Sequence, residues 1–320
     1  MGRFVVFFVC VLAVLVGLVS ETAAANKKSA APTTPKSIYD GPMSVVIVRG
    51  WSQTCDPLCP EWISAEGEIT GATPAAFARV FKAMGKKHLP IVIRSPGGAI
   101  LAAVDIGRMI RKRELDVAVG ATTFQGCLPI DKGCKLPVEQ GGIYRGAALD
   151  YGGFCNSACP LILASGKVRL APYGTTIGVH QPKTIWTQLR YTYRETYRMI
   201  NGKKKILSRT IINRSRAGTK VTFGYDKRLR STLTAYFREM GVDVAVLADS
   251  DKASFQNMNA LKGERLNELH LRTSPQGVAV FTQPSICLSS PIPANCVTNP
   301  KSTSPQHTET KATTPVTVSH

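Results

Sequence analysis

Ile91-Val-Ile-Arg-Ser-Pro-Gly-Gly-Ala-Ile100 is the stretch that decides the fold. A short apolar, β-branched run stops at Ser-Pro-Gly-Gly, and an Ala-rich helix predicted over 99–112 begins at once. Strand, glycine turn and helix form half of a parallel crossover, because parallel neighbours cannot be joined by a tight hairpin. Working outward, further strands are predicted at 44–48, 116–119, 168–170 and 176–179, beside the one at 90–94. A second extended piece is predicted at 67–71. Helices are predicted at 73–84, with Thr73 as cap and Pro74 in the first turn, and from about Ser157. Strands alternating with helices, punctuated by glycine, argue for an α/β fold with a largely parallel sheet, one domain spanning 44–282.

The chain has 320 residues, 34.5 kDa and 44% hydrophobic residues, enough to build a core and to exclude wholesale disorder. Forty Lys and Arg against 21 Asp and Glu leave +19 and a pI near 9.7, which predicts attraction to anionic lipid, envelope polymers, nucleic acid or acidic proteins. Residues 1–25 carry Arg3, an apolar run over 4–19 and Ala23-Ala24-Ala25, the pattern of a secretory signal peptide. The run is shorter than the roughly 20 residues that span a bilayer; a retained anchor is the alternative. Residues 26–43 read as a flexible linker. Residues 283–320 read as a Ser/Thr/Pro-rich disordered tail, with 13 such residues among the 23 from Thr298 onward.

Without Cys10 in the leader, eight cysteines remain: Cys55, Cys59, Cys127, Cys134, Cys155, Cys159, Cys287 and Cys296. An even number behind an export signal predicts disulfides, and eight cysteines allow 105 pairings. Cys55/Cys59 and Cys287/Cys296 are locally closable. The C-x3-C pairs lack histidine partners at zinc spacing, so no metal is expected, and nothing calls for a cofactor.

Chemistry concentrates between Ile91 and Gln181. The amides of Gly97 and Gly98, at a turn into a helix N-terminus, suit an anion, although Gly-Gly after a strand is commonly a mere turn. Ser157, in Cys155-Asn-Ser-Ala-Cys159, has helix capping as its bland explanation. His180, in Gly178-Val-His-Gln-Pro182, ends a strand and alone reads as structural. Together they supply what acyl transfer needs: a hydroxyl, an imidazole to take its proton, and amides of Gly98 and Ala158 for the oxyanion.

In order and spacing, Gly67-Glu-Ile-Thr-Gly71, Ile91 to Ile100, Asn156-Ser-Ala-Cys159 running on to Arg169, and Ile177 to Pro182 resemble the proteolytic subunit of Clp protease. They are more similar still to exported ClpP-like proteins of bacteria, in which cysteines flank the serine. The resemblance covers 44–182, with a weaker return over 236–273. It implies a crotonase-like ββα superhelix, assembly into homo-oligomers, Ser157 as nucleophile, His180 as base, and Gly98 and Ala158 as the oxyanion hole. Three departures accompany it. For the third triad member the nearest acids are Asp249 and Asp251, while strict register places Phe255 there. Asp251 is the candidate, with a Ser–His dyad or a backbone carbonyl on His180 as alternatives. A Cys-bearing insertion at 121–153 is expected to lid the site, with Cys127 and Cys134 tied to Cys155 and Cys159. A basic segment at 183–230, expected as a helical extension, holds 14 Lys and Arg against Glu195 and Asp226.

Three functions compete. The first is an exported serine peptidase, periplasmic or secreted, that cuts extended or unfolded peptides without an ATPase partner. The second is a non-catalytic binding or assembly module of the cell envelope. The third is thiol chemistry at Cys155 or Cys159, which paired sulfurs would silence. For 183–230 the bland reading is a solvated face, and the functional one an anionic lipid or envelope polymer rather than nucleic acid.

Overall fold

A computed structural model describes residues 41–51, 55, 57–131, 133–136 and 143–298. The expected leader over 1–25, most of the expected linker and residues 299–320 lie outside the described residues. The fold is mixed α/β around a central sheet. Its path begins with β1 (Ser44–Gly50) and β2 (Leu58–Glu66), paired antiparallel. Helix α1 (Thr73–Met84) then crosses to β3 (Ile91–Arg94), and α2 (Ile100–Arg111) to β4 (Val117–Val119). β2, β3 and β4 run parallel, and β8 (Arg169–Leu170) continues the parallel set beyond β4. Ile91, Val92 and Ile93 are buried, as expected of a central strand covered on both faces. In α1, Phe77, Phe81 and Met84 recur at helical spacing and face the core. α1 does begin at Thr73 with proline in its first turn, but Ala72 takes the cap position and Thr73 Oγ1 instead accepts from the Thr70 amide.

A smaller sheet carries the candidate chemistry. β7 (Phe154–Asn156) pairs parallel with β9 (Thr176–Val179), which pairs antiparallel with β12 (Asn259–Ala260). Between β7 and β8 lies the short helix α3 (Cys159–Ala164). Helix α4 (Lys227–Glu239) packs Leu233, Tyr236 and Phe237 into the core. Burying each such side chain contributes roughly 1.5–3 kcal/mol. Gly107 of α2 admits the α4 contact, since a Cβ there would lie 1.8 Å from Tyr236 Oη. That hydroxyl donates to Leu161 O of α3 at 2.6 Å, tying three helices together. Helices α5 (Val246–Asp251), α6 (Gly263–Glu268) and α7 (Ala279–Thr282) complete the α-helices of the described residues.

Several expectations are corrected. The second strand is β2, not 67–71, where Glu68 and Ile69 make only isolated bridges. β2 escapes pattern reading because Pro60, Glu61 and Glu66 interrupt its apolar run although all nine residues are at least half-buried. Glu61 is fully buried because Arg49 Nε (2.8 Å) and Lys87 Nζ (2.9 Å) neutralise it. Glu66 accepts from Arg94 (2.6 Å) and the Thr122 amide (2.5 Å); burial still pushes its carboxyl above the usual range.

The insertion 121–153 holds two strands, β5 (Ala121–Gln125) and β6 (Tyr144–Leu149), which extend the central sheet past β1. Its cysteines close on each other, Cys127 with Cys134, and Cys155 pairs with Cys159 rather than across to the insertion. Cys55–Cys59 and Cys287–Cys296 form as the spacing suggested.

The basic segment is not helical over most of its length. Lys183–Ile200 (β10) and Lys203–Phe223 (β11) make a two-stranded antiparallel hairpin, and only then does α4 begin. Thr, Tyr and Ile make up half of β10, and these side chains suit a pleated strand better than a helix. Asn201-Gly202 joins the strands, with φ of 50° and 72°, the two positive dihedrals that a type I′ hairpin turn requires. The expected tail is also shortened. A 3₁₀ turn over Pro284–Leu288 is followed by β13 (Cys296–Thr298), which adds to β2, with Asn295 Nδ2 donating to Glu61 O.

Candidate active site

Ser157 stands between β7 and α3 at a sharp corner. Its φ is +60°, a left-handed conformation rare for residues other than glycine and costing about 1–2 kcal/mol. Neighbouring hydrogen bonds hold it there. Ser95 N–H donates to Phe154 O and Asn156 N–H to Ser95 O, each at 3.0 Å, and Ser157 N–H donates to Gly178 O at 2.8 Å. The Cys155–Cys159 disulfide spans the corner from below, with both cysteines buried. Capping does not explain the serine: Ala158 takes the N-cap position and no side chain caps α3.

The Ser-Pro-Gly-Gly turn packs directly on this corner. A Cβ at Gly97 would lie 2.5 Å from Ser157 Cβ and 2.9 Å from Ala158 N; at Gly98 it would lie 2.1 Å from Ile69 O. Both glycines have positive φ, 104° and 133°, so glycine is needed there on both counts. Gly97 N–H is occupied by Ser95 Oγ at 3.1 Å. Ile69 N–H donates to Gly97 O and Ala99 N–H donates to Ile69 O, each at 2.7 Å. Among the described residues the amides of Gly98 and Ala158 have no acceptor.

His180 follows β9. Its Nδ1 lies 2.7 Å from Gln181 O; a carbonyl only accepts, so Nδ1 carries the proton and Nε2 is the basic nitrogen. Ser250 Oγ donates to His180 O at 2.6 Å and lies 2.7 Å from Tyr225 Oη. Burial pushes the Tyr225 phenol up, partly offset by its bond to Ser250. Phe255 meets the imidazole edge-on, ring centroids 5.3 Å apart. The side chains of Ser157 and His180 border one cavity of about 40 Å³ whose walls include Ile100, Leu161, Leu233 and Phe237. No hydrogen bond joins Ser157 Oγ to His180 among the described residues.

The Asp251 carboxylate is not at the imidazole. It pairs with Arg230 at 2.6 Å, while its backbone carbonyl accepts from Gln181 Nε2 at 3.1 Å. Asp249 is buried and pairs with Lys252 (2.6 Å) and Arg265 (2.7 Å). The structure thus brings together Ser157, His180, Gly97, Gly98 and Ala158, and leaves Asp251 aside. The backbone carbonyl that the sequence left open as an alternative for His180 is that of Gln181; the Tyr225–Ser250 pair behind His180 went unread. The arrangement offers a hydroxyl, a basic nitrogen, two unoccupied amides and an apolar recess. Among the described residues no cluster of His, Cys, Asp or Glu suits a metal ion.

No family model and no curated protein matches the chain. Solved structures similar to it include a membrane-bound stomatin-specific protease, 1510-N, in a mutant form (15% identity, 67% of this chain and 78% of that one, TM-score 0.37). Another mutant of that protease, in complex with a substrate peptide, is also 15% identical, over 67% and 74% of the chains, TM-score 0.38. A mutant ClpP1 from Listeria monocytogenes is 14% identical over 64% and 85%, TM-score 0.34.

Proposed function

We propose that this chain is a ClpP-like serine peptidase that hydrolyses extended or unfolded peptides. The observation that carries the reading is the corner at Ser157, held at positive φ against Gly97, with the amides of the next residue in each turn, Gly98 and Ala158, without an acceptor among the described residues. A peptide lies along the 95–98 edge as an added strand and offers its carbonyl to Ser157. Ser157 Oγ attacks, and His180 Nε2 takes the proton. The oxyanion accepts from Gly98 and Ala158 N–H. Collapse expels the amine, which receives the proton back from His180, and water then hydrolyses the acyl-serine by the same base. The apolar recess takes a hydrophobic side chain of the substrate.

The protein acts outside the cytoplasm, as a homo-oligomer and without an ATPase. The leader pattern and four disulfides support export, since thiols pair stably in oxidising compartments. Among the described residues no helix is long and apolar enough to cross a membrane. A second reading, a binding module that keeps the fold without catalysis, is favoured by one observation, the missing Ser157–His180 hydrogen bond.

Active-site labelling with a fluorophosphonate decides between them. The oxidised wild type is expected to label at Ser157, with labelling abolished in Ser157→Ala and reduced about 10⁴-fold or more in His180→Ala. A folded, oxidised wild type that takes no label would leave the binding module standing.

A further inference from the structure

Among the described residues the β10–β11 hairpin pairs with no other strand, and its base meets the body where Phe223 and Lys183 approach Phe255. Eleven Lys and Arg lie within it against Glu195 alone, so it carries ten of the nineteen net positive charges. Its register sorts the side chains into two faces, both cationic and one bearing the tyrosines, because directly paired residues project to the same side and successive ones alternate. One face carries Ile185, Leu189, Tyr191, Tyr193, Tyr197 and Met199, all exposed or half-buried. On it Lys204, Arg209 and Arg214 stack over Tyr197, Tyr193 and Tyr191, at 4.5, 4.9 and 5.2 Å from the ring centroids. The opposite face carries Arg190, Arg194, Arg198, Lys203, Lys205 and Lys220, with Trp186 beside Lys220 and Ile200 beside Lys203. None of these six cations makes an ion pair among the described residues.

We propose that the hairpin lies on an anionic lipid surface. A soluble polyanion would use the cations and leave the aromatic face in water. A second copy would cover the aromatic face but bring two hairpins of charge +10 together. An anionic bilayer interface uses the whole tyrosine-bearing face: tyrosines and aliphatics settle at the boundary between headgroups and acyl chains, and Lys204, Arg209, Arg214 and Arg216 on that same face reach the lipid phosphates. The cations of the opposite face add longer-range attraction. The strands extend about 60 Å, enough to run along such a surface. Ladder bonds within the pair already satisfy much of the backbone, which favours a shallow position over a spanning one.

The test is flotation of the full chain with vesicles of phosphatidylcholine alone and of phosphatidylcholine mixed with phosphatidylglycerol. Every protein compared retains the same residues 1–25, so differences between variants report the hairpin. The wild type is expected to prefer the phosphatidylglycerol vesicles, and to lose that preference as salt rises. Lys204→Gln/Arg214→Gln/Arg216→Gln should weaken binding to them about 100-fold. Tyr193→Ser/Tyr197→Ser should weaken it about tenfold without flattening the salt dependence. Unchanged thermal unfolding in both variants excludes a folding defect, because the body does not need these side chains. The proposal is overturned if the triple variant binds phosphatidylglycerol vesicles as the wild type does, or if both vesicle types bind equally. It is also overturned if the substitutions disperse an oligomer while vesicle binding stays intact, or if inorganic polyphosphate binds the chain tightly and the mixed vesicles do not.

Discussion

His180 rests its Nδ1 on the carbonyl of Gln181, a neutral acceptor, where a catalytic triad would place a carboxylate. The contact still selects the tautomer that leaves Nε2 basic, so the imidazole is oriented even though less charge is available to stabilise the imidazolium. The consequence is specific to Asp251, whose carboxylate is engaged by Arg230. Asp251→Asn is expected to change peptide hydrolysis by less than about threefold, against the roughly 10⁴-fold loss when the carboxylate of a working triad is neutralised. Steady-state rates for the two proteins at one pH settle it. A large loss would mean that the aspartate reaches His180 during turnover. The aromatic edge of Phe255 occupies the place beside the imidazole that sequence register assigned to the third residue.

At the level of elements, the β7–α3 corner depends on one covalent tie. Cys155–Cys159 closes a loop of five residues around Ser157, and closing a loop that short is worth about 2 kcal/mol by constraint of the unfolded chain. Cys155→Ala/Cys159→Ala is expected to lower the urea-unfolding free energy by about that amount and to slow fluorophosphonate labelling, since the left-handed serine loses its brace. Equal stability and equal labelling would show that hydrogen bonds alone hold the corner. The sequence made this corner readable: glycine punctuation and β-branched runs marked β3, α2, α3 and β9, with Ser157 and His180 at their ends. β2 was hidden because its buried glutamates look like surface residues until Arg49, Lys87 and Arg94 arrive from distant positions. The β10–β11 hairpin was hidden behind its charge, although Asn201-Gly202 between strand-favouring runs was a local signal. Asp251 could not be placed at all, because which carboxylate faces an imidazole depends on packing between α5 and the end of β9.

For the molecule as a whole, acid sensitivity should concentrate at Asp249. Burial alone would raise its carboxyl, but hydrogen bonds and charge from Lys252 and Arg265 outweigh burial and hold it below the ordinary value of 3.8. A carboxyl depressed in the folded state contributes stability above its unfolded pKa and loses it as pH falls through the folded one. Asp249→Asn is therefore expected to cost about 1–3 kcal/mol near neutrality, with the gap between wild-type and variant melting curves closing below about pH 4. A gap independent of pH would remove the ion pairs from the account. The disulfide map has a further bearing on how the molecule is made. Cys55 pairs with Cys59, Cys127 with Cys134, Cys155 with Cys159, and Cys287 with Cys296. Of the 105 pairings open to eight cysteines, this is the one in which every thiol joins the next to emerge. Each bridge can close as soon as its second cysteine emerges, before the following pair does, so this map contains no crossed links that would have to be reshuffled.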